Sequence, residues 1–171
     1  MAILEIRKFP DEVLKRKALP VEDINGGLQK LIDDMIETMY AAPGIGLAAP
    51  QVGVSKRLIV LDVGYKDGSP SLLTIINPEL ILTDGLIDSE EGCLSVPGHV
   101  VNVKRSARVA VRGFDRDGKP LEIEAEGLLA RALQHEIDHL EGILILDRLS
   151  PFRRELLKKR ILKERRLEAH K

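Results

Sequence analysis

Aromatic side chains are scarce in this chain, with no tryptophan, two tyrosines and three phenylalanines among 171 residues, so its core must be aliphatic. A single cysteine, Cys93, excludes an internal disulfide framework. It suits a reducing compartment, where it acts as a thiol or a metal ligand unless it is merely a small buried hydrophobe. No apolar run approaches the roughly 18 residues that a membrane-spanning helix needs. The opening stretch MAILEIRKFPDEVLKRK lacks both a long apolar segment and a small-residue cleavage site. No signal peptide and no membrane partner are therefore expected, and a cytoplasmic location is.

What is present is ordinary for a folded protein: 44% apolar and 31% charged residues. The length suits one domain with a real core, read here as residues 1–171. Charge is unevenly placed. From Ser150 onward there are nine Lys/Arg against three Glu, a net of +6, which leaves −7 on the preceding part of a chain whose total is −1. The segment 150–171 is thus a basic tail on an acidic body, pointing to an anionic partner unless it is only a solvated helix face.

Periodicity is strongest in LQKLIDDMIETMY, where Leu28, Leu31, Ile32, Met35, Ile36, Met39 and Tyr40 recur at helical spacing and Pro43-Gly44 ends the pattern. The small, turn-prone GIGLAAPQVG follows, then a strand in RLIVLDV (57–63) and a turn over Gly64 to Pro70. LLTIINPELILTDG reads as extended and interrupted at Asn77-Pro78. HVVNVKRSARVAVRGFD predicts two antiparallel strands, DRDGKP a hairpin turn and LEIEAEG a further strand. A second helix is predicted from about Leu128 to Leu140 with Gly142 as its cap, then a short extended ILILDRL. Ser150-Pro151 begins a last, basic helix. Its Phe152, Leu156, Leu157, Ile161 and Leu162 are expected to gather on one side. Helices among mostly antiparallel strands make the expected class α+β, not a doubly wound α/β fold.

The stretch QHEIDHLEG in the second helix carries two histidines four apart, His135 and His139. At about 100° per residue they fall about 40° apart on one face, as two ligands of one ion must. They could equally be a solvated pair. Glu136 decides more: the wheel puts it in the apolar arc with Leu129, Ala132 and Leu133, while Arg131, Gln134, Asp138 and Glu141 lie opposite. A carboxylate in an apolar stripe is costly unless paired or bound. Beside an activated water it can take a proton, and desolvation moves its pKa towards the working range.

A catalytic metal site keeps three protein ligands and one open position. No third histidine follows His139, and the nearby acids are only Glu141 and Asp147. His99 and the tail residue His170 are the other histidines. Cys93, in EEGCLSVPG, is the strongest remaining candidate, and a thiolate with two imidazoles suits zinc or ferrous iron.

Three segments, GIGLAAPQVG (44–53), EGCLSVPG (91–98) and QHEIDHLEG (134–142), together resemble the three signature motifs of peptide deformylases, in order and at the family's separations. The resemblance implies a metal-dependent hydrolase that removes the formyl group from the N-terminal formyl-methionine of new polypeptides. It implies one divalent ion on Cys93, His135 and His139, usually ferrous iron, with zinc, nickel or cobalt able to occupy the site. Glu136 would be the general acid/base, and Gln51 with the Leu94 N–H would donate to the formyl oxygen. Without the motif, Gln51 reads as a loop amide bonding its own backbone. Ile45, Gly46, Leu47 and Gly92 would line the approach of an extended peptide that pairs as an added strand. Leu94, Leu129 and Leu133 would help wall a slot for the methionine side chain, unless they are core leucines. For a C-terminal helix of this kind the resemblance also implies docking at the ribosome, near the exit of the nascent chain.

The chain departs from the family pattern at Val100, where an Arg or Tyr is frequent, at Ala42-Pro43, where a pair of acids is common, and at Pro50. These bear on substrate preference and on the shape of the cleft mouth. Two rival readings are a zinc peptidase using His135, His139 and a carboxylate, and a non-catalytic RNA- or ribosome-binding module built on the basic tail. Loss of metal in Cys93→Ser separates the first, and hydrolysis of formyl-Met-Ala-Ser the second.

Overall fold

The computed structural model describes residues 2–169; Met1, His170 and Lys171 lie outside the described residues. Helix α1 spans Gly26–Ala41, started by Asn25, whose side-chain oxygen accepts from Leu28 N at 2.9 Å. Strands β1 (Gly46–Ala48), β2 (Leu58–Leu61) and β3 (Leu73–Asp84) follow. Next come β4 (Ile87–Cys93), β5 (Val96–Arg105), β6 (Arg108–Phe114) and β7 (Pro120–Glu126). Helices α2 (Gly127–Leu140) and α3 (Pro151–Ala169) complete the order. The strands form a five-stranded sheet, β1-β2-β3-β6-β7, and a separate β4–β5 hairpin, every pairing antiparallel. The fold is α+β, as expected.

Strand β2 sets the layers. All four of its residues are buried, and alternate side chains leave a strand on opposite faces. Ile59 and Leu61 pack with Ala130, Leu133, Ile137 and Leu140 of α2. Leu58 and Val60 pack with Leu28, Ile32, Met35 and Met39 of α1. The β4–β5 hairpin adds a further layer, its Val96, Val101 and Val103 meeting Leu144, Ile145 and Leu146.

Several expectations need correction. Asn77-Pro78 does not interrupt the strand. Asn77 adopts φ 53° in a bulge of β3, where its side chain accepts from Val21 N (2.8 Å) and donates to Val21 O (3.0 Å). The two strands read in 99–115 do form, but β5 pairs with β4 and β6 with β3 and β7. Alternation along a strand does not name its partner. The 143–149 segment is not extended, since Ile145–Arg148 closes a 3-10 turn. GIGLAAPQVG is likewise ordered, as β1 followed by a 3-10 turn over Ala49–Val52.

Helix α3 begins as expected, with Ser150 Oγ accepting from Arg153 N at 3.4 Å, but its apolar residues do not share a side. Phe152 with Leu156, and Leu157 with Ile161, lie about 140° apart at about 100° per residue. Only the second pair docks on the body, and Phe152 stays 75% exposed.

The end of α2 supplies a stability test. Gly142 has φ 75°, and a Cβ there would lie 2.5 Å from the Lys15 carbonyl oxygen. Gly142→Ala should lower unfolding free energy by at least about 2 kcal/mol, read by urea denaturation. A loss under half that size would show that the turn relaxes freely.

Candidate metal centre and active-site cleft

The β4–β5 hairpin delivers the cysteine. Its pairing jumps from Gly92↔Val100 to Cys93↔Val96, a bulge of the kind that re-aims a side chain. Cys93 Sγ lies 3.4 Å from His139 Nε2 on α2. One turn earlier on the same helix face, His135 brings its ring to 5.0 Å from that of His139. Donor atoms of Cys93, His135 and His139 all fall within 4.8 Å of one another. Glu141 and Asp147, the alternative carboxylates, are turned elsewhere: Arg57 binds the first at 2.7 Å and Lys15 the second at 2.5 Å.

The ligand set is chemically suited to a divalent ion. His135 Nδ1 sits 2.9 Å from Glu91 Oε1. An ionised carboxylate only accepts, so Nδ1 carries the proton and Nε2 remains free to ligate. Arg105 in turn donates to both Glu91 oxygens, at 2.9 and 2.7 Å, and to Asp138 Oδ2 at 2.7 Å. Arg148 closes the chain on Asp138 at 3.0 and 2.6 Å. Burial would raise the Glu91 carboxyl, but Arg105 and His135 outweigh it and hold it down at about 2. Burial lowers His139 well below the usual imidazole range, with His135 and Arg105 adding to it, and so favours the neutral ligand form. At His135 burial works the same way, but Glu136, Cys93 and Glu91 reverse it and raise its pKa.

Glu136 lies beside this cluster, 4% exposed, with Oε1 buried and no hydrogen-bond partner among the described residues. Burial pushes its carboxyl up to about 7. It packs closely against Gly46: a Cβ there would stand 2.5 Å from Glu136 Oε2 and force the carboxylate to shift. An unpaired acid poised near neutrality is what a general acid/base requires.

Gln51 is tied to its own loop and also reaches towards the cluster. Its Oε1 accepts from Ala48 N at 3.0 Å, tying the amide to its own loop. Its Nε2 donates to Ser95 Oγ at 3.1 Å and lies 3.7 Å from Cys93 Sγ, facing the centre. Ile45, Gly46, Gln51, Gly92, Cys93, Leu94, His135 and Glu136 share one cleft of about 680 Å³. β1 is paired on one side only, by β2, and Gly44, Ile45 and Gly46 border the cleft along the other. Leu47 departs from expectation: its side chain is fully buried against α1, so it offers only backbone. Leu133 and Leu129 belong to the core, and Leu128 joins Leu94 in the cleft instead. Val100, 61% exposed, stands at the mouth.

The sequence reading missed Glu91 and Arg105. For Glu91 a signal existed, since it stands two residues before Cys93 and period-two alternation puts both on one strand face. Arg105 is 14 residues further on and carried none. The polar side of α2 was also misjudged. Gln134 and Asp138 are buried, Gln134 accepting from Ser106 N at 2.8 Å and Asp138 held by the two arginines.

The chain and its fold are similar to known proteins. A peptide deformylase of Thermodesulfovibrio yellowstonii is 64% identical over 160 residues, covering 94% of this chain and 97% of that one. The crystal structure of a peptide deformylase from Legionella pneumophila superposes with a TM-score of 0.91 at 50% identity, covering 99% of each chain. One from Synechococcus elongatus, solved in complex with actinonin, gives 0.86 at 42% identity over 95% of this chain and 87% of that one. The sequence model for polypeptide deformylase matches residues 3–155. The chain belongs to the polypeptide deformylase family.

Proposed function

We propose that Cys93, His135 and His139 hold one divalent ion, with ferrous iron as the resident metal and Glu136 as the acid/base group of the reaction. The enzyme is a peptide deformylase: it hydrolyses the formamide of N-terminal formyl-methionine on newly made polypeptides, releasing formate and a free amine. The observation that carries the site assignment is the thiolate–imidazole cluster, its donors within 4.8 Å, beside a buried acid with an unpaired oxygen.

A divalent ion held there supplies Lewis acidity, which makes water a competent nucleophile at neutral pH. Glu136 accepts the proton of the attacking water and returns it to the amine as the C–N bond breaks. Gln51 Nε2 and the Leu94 N–H donate to the formyl oxygen as negative charge develops on it. The free edge of β1, at Ile45, Gly46 and the Leu47 backbone, takes the peptide as an added strand, with the Gly92 side opposite. Leu94 and Leu128 offer apolar surface to the methionine side chain. Glu91 keeps His135 in the ligating tautomer.

The basic segment is a docking device in this reading. Residues 1–171 act as one catalytic unit in the cytoplasm, and 150–171 hold it at the ribosome, near where nascent chains emerge. Exposed Phe152 and Leu156 and the exposed cations of α3 support this, because ribosomal RNA presents a dense phosphate surface.

Three outcomes are expected. Glu136→Ala should retain its metal, measured by elemental analysis, and lose at least about 100-fold in kcat on formyl-Met-Ala-Ser. Near-normal turnover in the loaded variant would remove Glu136 from the reaction. Enzyme prepared with iron should lose activity in air while nickel enzyme persists, because a thiolate at an open iron site enters the oxidation ladder. Equal lifetimes would count against iron. Ribosome co-sedimentation should weaken steeply with salt, and further when Arg153, Lys159, Lys163 and Arg166 become Glu, with peptide hydrolysis unchanged. Undiminished binding by the reversed variant would leave the tail as a solvated face.

A further inference from the structure

Helix α3 lies behind the wall of the cleft, and three contacts join the two. Ile161 is buried with Val96, the residue paired to Cys93 across the hairpin. Arg165 donates to the Phe9 carbonyl at 3.0 Å, and Phe9 N donates to Ser95 O at 2.9 Å. Ser95 is the residue whose hydroxyl receives Gln51. The third contact reaches the cleft itself: Glu164 Oε2 lies 2.7 Å from Nε2 of His99, which lines the cleft.

His99 occupies a telling place. Its carbonyl oxygen would lie 3.6 Å from a Cβ on Gly92, the residue before Cys93, whose partner across the hairpin is the next residue, Val100. Around it the wall is thinly supported. Gly98 has φ 81° with nothing packed where its Cβ would be, and Val100 is 61% exposed. The His99 side chain is only 11% exposed, so it is the anchored point of an otherwise open strip, and what anchors it is a carboxylate from the tail.

We propose that Glu164 is a positioning residue for the substrate cleft. By accepting from His99 Nε2–H it ties α3 to the hairpin wall and fixes the separation between that wall and the β1 edge. The peptide must fit between the two, so the tie acts on substrate binding and not on proton transfer. This inference rests on the deformylase reading of the cleft. The tail on this view contributes to the site as well as to docking.

The test compares the full-length metal-loaded enzyme with Glu164→Ala, Glu164→Gln and, as control, Glu168→Ala, which removes an exposed carboxylate from the same helix. Steady-state kinetics on formyl-Met-Ala-Ser are read together with amide hydrogen exchange over residues 96–101. Because Glu164 is half exposed, the effect is modest: KM should rise about threefold in Glu164→Ala with kcat and metal content unchanged. Exchange over 96–101 should quicken in parallel. Glu164→Gln, whose amide oxygen accepts the same bond, should stay near wild type in both. A Glu164→Ala enzyme matching Glu168→Ala in KM and exchange overturns the proposal, as does a loss confined to kcat. Absence of deformylation by the wild-type chain would overturn the reading of the cleft instead, and the exchange rates would then decide the tie alone.

Discussion

Helix α2 is buried on nearly every side and still carries Gln134, His135, Glu136, Asp138 and His139 in its last two turns. Burying such groups is unfavourable unless each is matched, and the surrounding structure is arranged around that requirement. Arg105, itself 3% exposed, meets Glu91 and Asp138 at once, and Arg148 completes the neutralisation of Asp138. Removing one member of such a buried network costs about 3–5 kcal/mol, because the remaining charge is left without a partner. The hairpin is held to the helix by the same ions that orient His135. Within this group, among the described residues, one Glu136 oxygen and the His139 Nδ1 are left unmatched.

This explains a division within one helix. The face towards β2 and β6 is aliphatic and does the packing. The face towards the hairpin is ionic and does the orienting. The His135–His139 edge between them borders the cleft. A pair of histidines one turn apart can serve as ligands only if both rings are prevented from turning; here Glu91 orients His135, and burial encloses His139.

Much of the site was legible because its signals are local. The four-residue histidine spacing, the acid between them on the apolar arc, and a lone cysteine in a glycine-flanked loop each follow from chain geometry alone. What stayed hidden depends on partners. A helical wheel finds one buried arc, so Asp138 and Gln134 were placed in solvent; the second layer that covers them comes from β5, over 30 residues away for the Arg105–Asp138 pair. The period of β5 and β6 is plain in the sequence, but their assignment to different sheets is not. Leu47 sits in the right motif, yet its side chain points to α1, because neighbours on a strand face opposite ways. The stripe assigned to α3 failed on arithmetic that residue type alone does not show.

Gly46 and Glu136 share a space that admits only one of them at full size. Strand pairing at residue 46 uses backbone alone, so alanine there would leave the ladder to Leu61 intact and still push the carboxylate aside. Two positions in different motifs, one on a strand and one on a helix, therefore draw on a single volume. A larger residue at 46 is accommodated by a displaced or shorter side chain at 136, and either exchange would draw the carboxylate away from its place in the cleft. The room at the glycine is set by a residue that is not its neighbour in sequence.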